Sequence, residues 1–363
     1  MNPNEFDYVL PPESIAQRPL AERDASRLLL LDRATGAWDH RHFRELPEIL
    51  RGDELVVLNN VRVLPARLFG RRAGLRSQKL GRNNPARREF LESRIEVLLL
   101  RQIASGVWEA LVRPGRKINI GERIFFGEGE LEARVEARGE FGLRVLRFAS
   151  TDAFEEALAR LGHIPLPPYI RRADEPLDRE RYQTVYARDG SAIAAPTAGL
   201  HFTPQILERL AARGIAIAEI RLDVGLGTFE PVHTEQLEDH KIHVESYDIP
   251  KGSAAAIERA KLERRPVLAV GTTVVRALED AAEKCGEGHA RIAPGKAEAN
   301  IFLYPGKPFR VVDQLLTNFH LPRSTLLALV AAFAGRERVL RAYGHAVDAG
   351  YRFYSYGDAM LIR

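Results

Sequence analysis

The sequence predicts an α/β protein: a large α/β domain interrupted by an inserted small all-β, barrel-like domain. Three observations lead to this fold class. The chain has 363 residues, too many for one ordinary hydrophobic core. Short β-like runs separated by glycine turns recur between residues 95 and 148, and strand-like and helix-like segments alternate after residue 200. We therefore expect residues 1–64 and 151–363 to form the α/β domain and residues 65–150 the inserted domain.

The β-like runs of the inserted segment are short and evenly spaced, as in a small barrel or sandwich. They cover residues 95–100, 107–112, 123–126, 131–137 and 143–148. Before them, residues 55–64 are expected to form a strand. After them, Phe154, Leu158 and Leu161 share one face of a predicted helix that ends at Gly162.

In the second half of the chain, cap residues indicate where helices begin. Thr203 precedes Pro204 and Ser324 precedes an apolar run, and both positions are typical helix N-caps. The expected helices are 204–213, 253–264, 274–284, 325–335 and 336–349. The expected strands are 215–222, 266–270, 301–304 and 311–316.

Composition limits the class of protein. Hydrophobic residues make up 45% and charged residues 28%, as in globular proteins. No apolar run reaches the roughly 18 residues that span a bilayer, and the first residues lack a signal-peptide pattern, so we expect a cytoplasmic protein without a membrane partner. The single cysteine, Cys285, excludes a disulfide framework and a cysteine-based metal centre. With no long heptad pattern, we expect a monomer.

The basic residues are unevenly distributed. The net charge is +4 and the isoelectric point about 9.2. Residues 71–94 contain eight basic side chains against two acidic ones, among glycine, asparagine and proline residues. This segment is interpreted either as a solvated, variable loop or as an arm that contacts nucleic-acid phosphates.

Two glycine-rich segments combine a permissive backbone with reactive side chains. Residues 195–203 contain Gly199 and His201, and residues 224–233 contain Gly225, Gly227 and Glu230. Glycine lets a backbone approach a ligand closely, and each segment follows or precedes a regular element. Both are therefore candidates for a ligand-binding site.

A third candidate is the turn from strand 266–270 into the next helix. Gly271, Thr272 and Thr273 occupy the predicted helix N-terminus, where free N–H groups would bind a carboxylate or phosphate. Arg276, one turn later, would add a charge-assisted contact, unless it is an ordinary surface arginine. The chain has neither a Walker sequence nor a dinucleotide-binding fingerprint.

Several histidines and one aspartate complete the candidates. His233, His240 and His243 lie near Glu245, which leaves metal binding open, although their spacing matches no standard zinc signature. His320 follows Asn318 in a polar loop, where it would serve either structure or a site. Asp313 lies within a predicted apolar strand, so its carboxylate needs a partner or a catalytic task.

Several long motifs resemble the S-adenosylmethionine:tRNA ribosyltransferase-isomerase family of queuosine biosynthesis. Four of them lie at the candidate site: PTAGLHFT at 196–203, VGLGTF at 224–229, AVGTT at 269–273 and LTNFHLPRSTLL at 316–327. Others lie towards the two ends: IAQRP at 15–19, SRLL at 26–29, NNVRVLPARL at 59–68 and YRFYSYGDAML at 351–361. The resemblance covers nearly the whole chain.

The resemblance implies an enzyme that acts on tRNA. Such an enzyme transfers and isomerises the ribosyl part of S-adenosylmethionine onto 7-aminomethyl-7-deazaguanine in tRNA. The products are epoxyqueuosine in the tRNA, adenine and methionine. S-adenosylmethionine is then a consumed substrate, and no cofactor or metal is expected.

The positions of the motifs suggest roles. The expected base is His201 or His243, and the expected proton donor to adenine is Glu230 or Asp313. The remaining site residues are expected to bind substrate: Gly225, Gly227 and Thr228 at the nucleoside, Gly271, Thr272 and Thr273 at the methionine carboxylate, and Thr197, Gly199, Arg276, Asn318 and His320 elsewhere in the site. Phe229, Phe319 or Tyr356 would stack on a base.

Two other functions remain open from the sequence. A tRNA-binding module without catalysis would explain the basic segment and the β domain, and it predicts no binding of S-adenosylmethionine. A metal-dependent hydrolase built on the cluster from His233 to Glu245 predicts bound metal and inactivation by a chelator.

Overall fold

The computed structural model describes residues 1–72, 94–115, 118–149, 154–188, 192–225, 234–240, 242–286 and 291–363. These residues form two compact units. The first unit comprises Met1–Arg62, Pro167–Ala173 and Glu180–Arg363, and the second comprises Val63–Leu166 and Asp174–Arg179.

The strands and helices are numbered in chain order over the described residues. The strands are β1 (Arg27–Leu31), β2 (Trp38–His42), β3 (Leu55–Asn59), β4 (Arg67–Arg72), β5 (Ile95–Ala104), β6 (Val107–Arg113), β7 (Arg123–Phe126), β8 (Leu131–Arg138), β9 (Leu143–Phe148), β10 (Ala216–Leu222), β11 (Glu245–Ile249), β12 (Val267–Val270), β13 (Gly295–Ala299), β14 (Gln314–Asn318) and β15 (Ala359–Ile362). The helices are α1 (Leu46–Ile49), α2 (Phe154–Leu161), α3 (Pro176–Arg181), α4 (Pro204–Ala212), α5 (Lys251–Leu262), α6 (Thr272–Lys284), α7 (Thr325–Ala334) and α8 (Arg336–Asp348).

The first unit is built on a mixed sheet. Within the described residues the sheet has nine strands in the order β13-β11-β10-β3-β12-β14-β15-β1-β2. Its centre, β10-β3-β12-β14, is parallel; Val57 of β3 lies opposite both Ala218 and Ala269. Because parallel strands all end at the same edge, Asn59, Leu222, Val270 and Asn318 bring their following loops to one side of the unit.

Both faces of this sheet are covered by apolar side chains. Alternate residues of β3 point to opposite faces, so Leu55 and Val57 belong to one buried cluster and Val56 and Leu58 to another. Helices α5, α6, α7 and α8 contribute to the first cluster, and α4 contributes to the second. A run of consecutive buried residues such as β3 is typical of a central strand covered on both faces.

The helix caps predicted from the sequence are confirmed. The Thr203 side chain accepts a hydrogen bond from the backbone N–H of Ile206, and α4 begins at Pro204. The Ser324 side chain accepts from the N–H of Leu327 and starts α7. Each cap satisfies an N–H group that has no acceptor inside its helix.

The second unit contains a closed antiparallel barrel in the order β4-β5-β6-β9-β8-β7. Closure occurs where β4 pairs with β7, with Gly70 opposite Phe126. A side chain at Gly70 would come within 2.8 Å of Ile124, which explains the glycine at this crowded pairing. The predicted fold class, an α/β domain together with a small β-barrel domain, is confirmed.

Some predicted elements differ from the structure. The strand expected over 55–64 ends at Asn59, because its side-chain oxygen accepts the N–H groups of Val61 and Leu222 and turns the chain. Residues 301–304 and 311–313 are not strands. The strands that were not predicted are β1, β2, β4, β11, β13 and β15. Among the described residues, no helix combines the length and the apolarity that crossing a bilayer requires.

Candidate active site

A cleft lies in the first unit at the carboxyl edge of β12 and β14. It has about 480 Å³ of space not filled by protein atoms, a volume that includes open solvent. Three of the segments singled out in the sequence meet here: residues 195–198, 271–273 and 318–320. The other lining residues are Tyr169, Val224, Leu326, Tyr354 and Ser355. The parallel strands explain the convergence, since the loops after β12 and β14 leave the sheet side by side.

The floor of the cleft includes the beginning of α6. Gly271 has a φ of 94°, which favours glycine, and its N–H donates to the carbonyl of Leu316 at 2.8 Å. Thr272 and Thr273 follow as the first residues of the helix, and both are buried. The Thr273 hydroxyl has no hydrogen-bond partner among the described residues. N–H groups of a first helical turn beside an unpaired hydroxyl are suited to bind an anionic group.

Asn318 organises the opposite side of the cleft. Its side-chain nitrogen donates to the carbonyl of Tyr354 at 2.9 Å. Tyr354 has a φ of 71°, an uncommon conformation for an aromatic residue. The Tyr354 ring lies edge-on to Tyr169 at 4.0 Å between centroids, and the Tyr169 hydroxyl is 2.5 Å from the Ser355 hydroxyl. The result is an aromatic wall whose backbone is held by Asn318.

His320 lines the same cleft as a neutral side chain. Burial lowers the pKa of His320 to about 3. Its Nε2 lies 2.8 Å from the Thr317 hydroxyl, and its carbonyl accepts a hydrogen bond from the Tyr8 hydroxyl at 2.5 Å. These contacts fix the ring and the loop, so His320 shapes the cleft rather than carrying charge at neutral pH.

His201 does not line the cleft but is buried next to Asn318, which does, at the end of a 3-10 helix that covers Thr197–His201. Its Nδ1 lies 2.7 Å from the Ser26 hydroxyl, and its ring stacks on Phe43 at 5.1 Å. Burial lowers the pKa of His201 to about 4, and the Asn318 side chain acts in the opposite direction. The ring is therefore neutral at pH 7, which a proton acceptor requires.

The Nε2 atom of His201 is buried and makes no well-aligned hydrogen bond within the described part of the chain, and the same holds for the Oδ1 atom of Asn318. The two side chains still interact, because a hydrogen bond with Asn318 favours the protonated ring and acts against the effect of burial on the pKa of His201. The Ser26 hydroxyl lies 3.4 Å from the carbonyl of Arg23. When Ser26 donates to that carbonyl, Nδ1 of His201 carries the proton and Nε2 presents its lone pair.

Thr197 and Gly199 have different environments. Thr197 lines the cleft, whereas Gly199 does not. A Cβ atom at Gly199 would lie 2.0 Å from the Tyr186 hydroxyl and 2.8 Å from Thr184. Only glycine fits there, so Gly199 lets the segment that ends at His201 pack against the Tyr186 ring.

Arg276 and His243 line a second, smaller cavity with Ile242, Phe302 and Leu326. Arg276 forms a buried ion pair with Glu245, and it also donates to the carbonyl of His243 at 3.0 Å. The guanidinium is thus engaged within the protein, which argues against the substrate contact expected from the sequence. The imidazole of His243 is exposed.

Gly225 belongs to the same arrangement. Its N–H donates to the other carboxylate oxygen of Glu245 at 3.3 Å. The chain that leads into the second glycine-rich segment is therefore anchored to α6 through Glu245. Gly227, Thr228, Phe229 and Glu230 lie outside the described residues, as do His233 and residues 73–93 of the basic segment.

Asp313 lies at the opposite edge of the sheet from the cleft. It precedes β14, whereas the cleft is formed by residues that follow this strand. Both of its carboxylate oxygens accept from the Lys261 ammonium, at 2.7 and 2.8 Å, and one also accepts from the N–H of Val267 at 2.9 Å. The partner that the carboxylate requires is Lys261, and this position away from the cleft speaks against the role of proton donor expected from the sequence.

Two of the aromatic residues expected to stack on a base have other contacts. Phe319 is fully buried and packs against Phe353, Tyr343 and Tyr351. Tyr356 is also buried and lies edge-on to Tyr182. The tyrosines that do line the cleft are Tyr169 and Tyr354, which the sequence analysis did not single out.

The sequence reasoning missed Tyr169, Tyr354, Ser355 and Ser26. Tyr169 follows a proline-rich stretch without periodicity, and no local signal marks it. Tyr354 and Ser355 belong to the motif at 351–361, of which the sequence analysis connected only Tyr356 with the site. Within the described ranges, no three histidine, cysteine or acidic side chains converge as metal ligands.

The fold and the cleft define the class of protein. Ligands of open α/β sheets bind outside the carboxyl ends of parallel strands, and this cleft adds a helix N-terminus, the buried neutral imidazole of His320 and tyrosines at that edge. This combination is typical of an α/β enzyme that acts on a small polar substrate.

Comparison with known proteins assigns the family. A family described as "Queuosine biosynthesis protein" matches residues 3–362. The S-adenosylmethionine:tRNA ribosyltransferase-isomerase of Solibacter usitatus is 55% identical over 364 residues, with both chains covered completely. The enzyme of the same name from Moorella thermoacetica is 50% identical over 363 residues, again with complete coverage. The chain belongs to this family of ribosyltransferase-isomerases.

A solved structure supports the same assignment. The crystal structure of S-adenosylmethionine tRNA ribosyltransferase from Thermotoga maritima has 37% sequence identity to the chain. The alignment covers 99% of this chain and all of the other, with a TM-score of 0.53. The predicted family resemblance is confirmed.

Proposed function

We propose that this chain transfers and isomerises the ribosyl moiety of S-adenosylmethionine onto 7-aminomethyl-7-deazaguanine in tRNA. The products would be epoxyqueuosine in the tRNA, adenine and methionine. The observation that carries the proposal is the cleft, in which a helix N-terminus and an unpaired buried hydroxyl face an aromatic wall, with the neutral imidazole of His201 next to Asn318 of its lining. The substrate has matching parts: a carboxylate, a nucleoside and acidic protons.

The chemistry of the substrate defines what the site must supply. The sulfonium of S-adenosylmethionine acidifies the neighbouring C5′ protons, so a positioned base can remove one and form an ylide. The departure of adenine is assisted by a proton donor. The attacking amine must be neutral, and water must be kept out of the site.

The described residues can meet several of these needs. The first turn of α6, with Thr272 and Thr273, would bind the methionine carboxylate. Tyr169 and Tyr354 would pack against the nucleoside. His201 is our proposed base, since its ring is neutral and interacts with Asn318, a residue that lines the cleft. Glu230 is the proposed proton donor.

The partners follow from the reaction. The chain would bind modified tRNA and S-adenosylmethionine, and because its substrate is tRNA, it would act in the cytoplasm. S-adenosylmethionine would be consumed rather than retained, so we propose no separate cofactor. We also propose that the chain works as a monomer.

The direct test is the release of adenine from S-adenosylmethionine, measured by chromatography with and without tRNA that carries 7-aminomethyl-7-deazaguanine. We expect release that requires both the enzyme and the modified base. Unmodified tRNA of the same sequence is the control. If the chain binds tRNA but releases no adenine, it is a binding module and the catalytic proposal fails.

Replacing Asp313 with asparagine is expected to leave the rate of adenine release within about twofold of the unchanged protein, because Asp313 lies at the far end of β14. Asparagine keeps an acceptor for the N–H of Val267 but loses the ion pair with Lys261, a partly exposed pair worth about 1 kcal/mol or less. Adenine release and thermal unfolding of the two proteins check this. A hundredfold loss of rate with normal stability would return Asp313 to the mechanism.

A further inference from the structure

Another pocket, lined in part by His201, lies within the first unit. It has about 280 Å³ of unfilled space, a volume that includes open solvent. Two guanidinium groups, those of Arg23 and Arg181, contribute to its lining. Ser26, His201 and Ser355 also line it, and Ser355 lines the cleft as well. The pocket and the cleft are therefore adjacent, and the neutral imidazole stands next to both.

Among the described residues, the two guanidinium groups are bound only by neutral oxygens. Arg23 donates to the carbonyls of Leu200 at 3.2 Å and Glu180 at 2.7 Å. Arg181 donates to the carbonyl of Ala21 at 2.9 Å, and its buried Nε has no partner in the described chain. Neither arginine forms an ion pair with a described carboxylate, although Arg181 is only 8% exposed. A buried guanidinium without a counter-ion is costly unless an anion is supplied.

The acidic residues near the pocket do not neutralise this charge. Glu22 lines the pocket, but its carboxylate binds Arg44 at 3.0 Å and is largely exposed. Glu180 is exposed, and its backbone carbonyl accepts the hydrogen bond from Arg23. The negative charge of its side chain raises the pKa of Arg23 but offsets the effect of burial only in part. Burial and then the charge of Arg181 lower the pKa of Arg23. The positive charges of the two arginines are therefore close enough to repel each other.

The pKa of His201 is also affected by positive charges near the pocket. After burial, the charges of Arg23 and Arg352 act to lower its pKa. Arg352 has Asp358 beside it, because the Asp358 carboxylate accepts the N–H of Arg352 at 2.8 Å. Among the described residues no carboxylate forms an ion pair with Arg23 or Arg181, and Glu180 offsets the charge of Arg23 only in part. An oxyanion between them would relieve their repulsion and complete their hydrogen bonds.

We propose that Arg23 and Arg181 form a subsite for a backbone phosphate of the tRNA, next to the nucleotide that reacts. The inference rests on the proposed function and adds a residue-level contact for its nucleic-acid substrate. Planar guanidinium groups suit the two free oxygens of a phosphodiester, and phosphate contacts position a nucleic acid without reading its sequence. The first turn of α6 already offers a site for the other oxyanion of the reaction, the methionine carboxylate.

The test replaces Arg181 with glutamine and measures the KM for tRNA and for S-adenosylmethionine separately. We expect the KM for tRNA to rise at least about tenfold while the KM for S-adenosylmethionine stays within twofold. Loss of one phosphate contact should also reduce the slope of log Kd for tRNA against log salt by about one. An unchanged KM for tRNA together with an unchanged slope would overturn the proposal. A rise in the KM for S-adenosylmethionine alone would also overturn it, because Arg181 would then contact the methionine carboxylate rather than a tRNA phosphate.

Matched variants separate a ligand contact from a structural role. Arg209 is a partly exposed arginine of α4 that pairs with Glu48, so Arg209→Gln removes the same charge outside the pocket and should leave both KM values unchanged. Arg181→Lys keeps the charge but loses the planar guanidinium. We expect its KM for tRNA to lie between that of the unchanged protein and that of Arg181→Gln. If the glutamine variant does not fold, the lysine variant decides, and a KM for tRNA equal to that of the unchanged protein overturns the proposal.

The binding measurement keeps this test independent of the reaction. Direct binding of tRNA over a range of salt concentrations needs no turnover. If adenine is not released but Arg181→Gln still lowers the salt slope, the proposed function fails while the phosphate subsite stands. If adenine is released but Arg181→Gln leaves the salt slope unchanged, the proposed function stands and the phosphate subsite fails.

Discussion

Replacing His201 with alanine is expected to lower the rate of adenine release at least about a hundredfold at saturating substrates, the usual effect of losing a positioned general base. The imidazole is buried, lies 2.7 Å from the Ser26 hydroxyl, stacks on Phe43 and interacts with the side chain of Asn318. The rate is measured by chromatography of adenine, together with the KM values for both substrates. A fall in kcat with little change in KM is the expected pattern.

Two other histidines provide the comparison. His40 is exposed on β2, where it contacts Tyr351 and His345, and His40→Ala should leave the rate within twofold. His243 is the alternative base from the sequence, and its exposed ring predicts a small effect for His243→Ala. If His201→Ala stays within threefold of the unchanged protein, His201 is not the base. If His243→Ala alone abolishes release, the role belongs to His243.

The low pKa of His201 connects this prediction with the phosphate subsite. A pKa of about 4 keeps the ring neutral throughout pH 6–9, so the titration of free His201 should not limit the rate in that range. It also makes the ring a weak base. Arg23 is one cause of the lowered pKa, and an anion bound at Arg23 would offset its charge. Binding of tRNA would thereby raise the basicity of His201 when the substrate is in place.

The sequence predicted most of the fold because its signals are local. The caps at Thr203 and Ser324 lie next to the helices they start, and the turns of the barrel lie between the strands they join. The candidate loops at Gly271 and Asn318 also converge as predicted, since each follows a strand of the parallel centre. The end of a parallel strand at which a residue lies therefore decides which other loops it can contact.

The limits of the sequence analysis also follow from its dependence on local signals. Asp313 and Asn318 lie at opposite ends of β14, and five residues of extended chain separate them by about 16 Å. A polar residue in an apolar strand was correctly expected to have a partner, but the sequence did not specify that Lys261 supplies it. Tyr169, Arg23 and Arg181 are brought near His201 or the cleft by tertiary folding alone. No periodicity or spacing encodes such contacts.

Replacing Glu245 with glutamine is expected to destabilise the protein by about 3–5 kcal/mol, because it leaves the charge of Arg276 buried without its partner. The two side chains are 2% and 6% exposed, so water cannot take the place of the carboxylate. Arg276 also donates to the carbonyls of His243 and Ala299, and the other oxygen of Glu245 accepts from Gly225. Unfolding in a chemical denaturant, followed by circular dichroism, measures the change.

An exposed ion pair gives the matched control. Glu48→Gln breaks the pair with Arg209, whose side chain is 45% exposed, and should cost less than about 1 kcal/mol. The double variant Glu245→Leu, Arg276→Met removes both buried charges and should be more stable than Glu245→Gln alone, since no charge is left uncompensated. Equal losses for Glu245→Gln and Glu48→Gln would mean that Arg276 reaches solvent in the protein. A stable double variant with reduced adenine release would show instead that the pair positions Gly225 and the segment after it for catalysis.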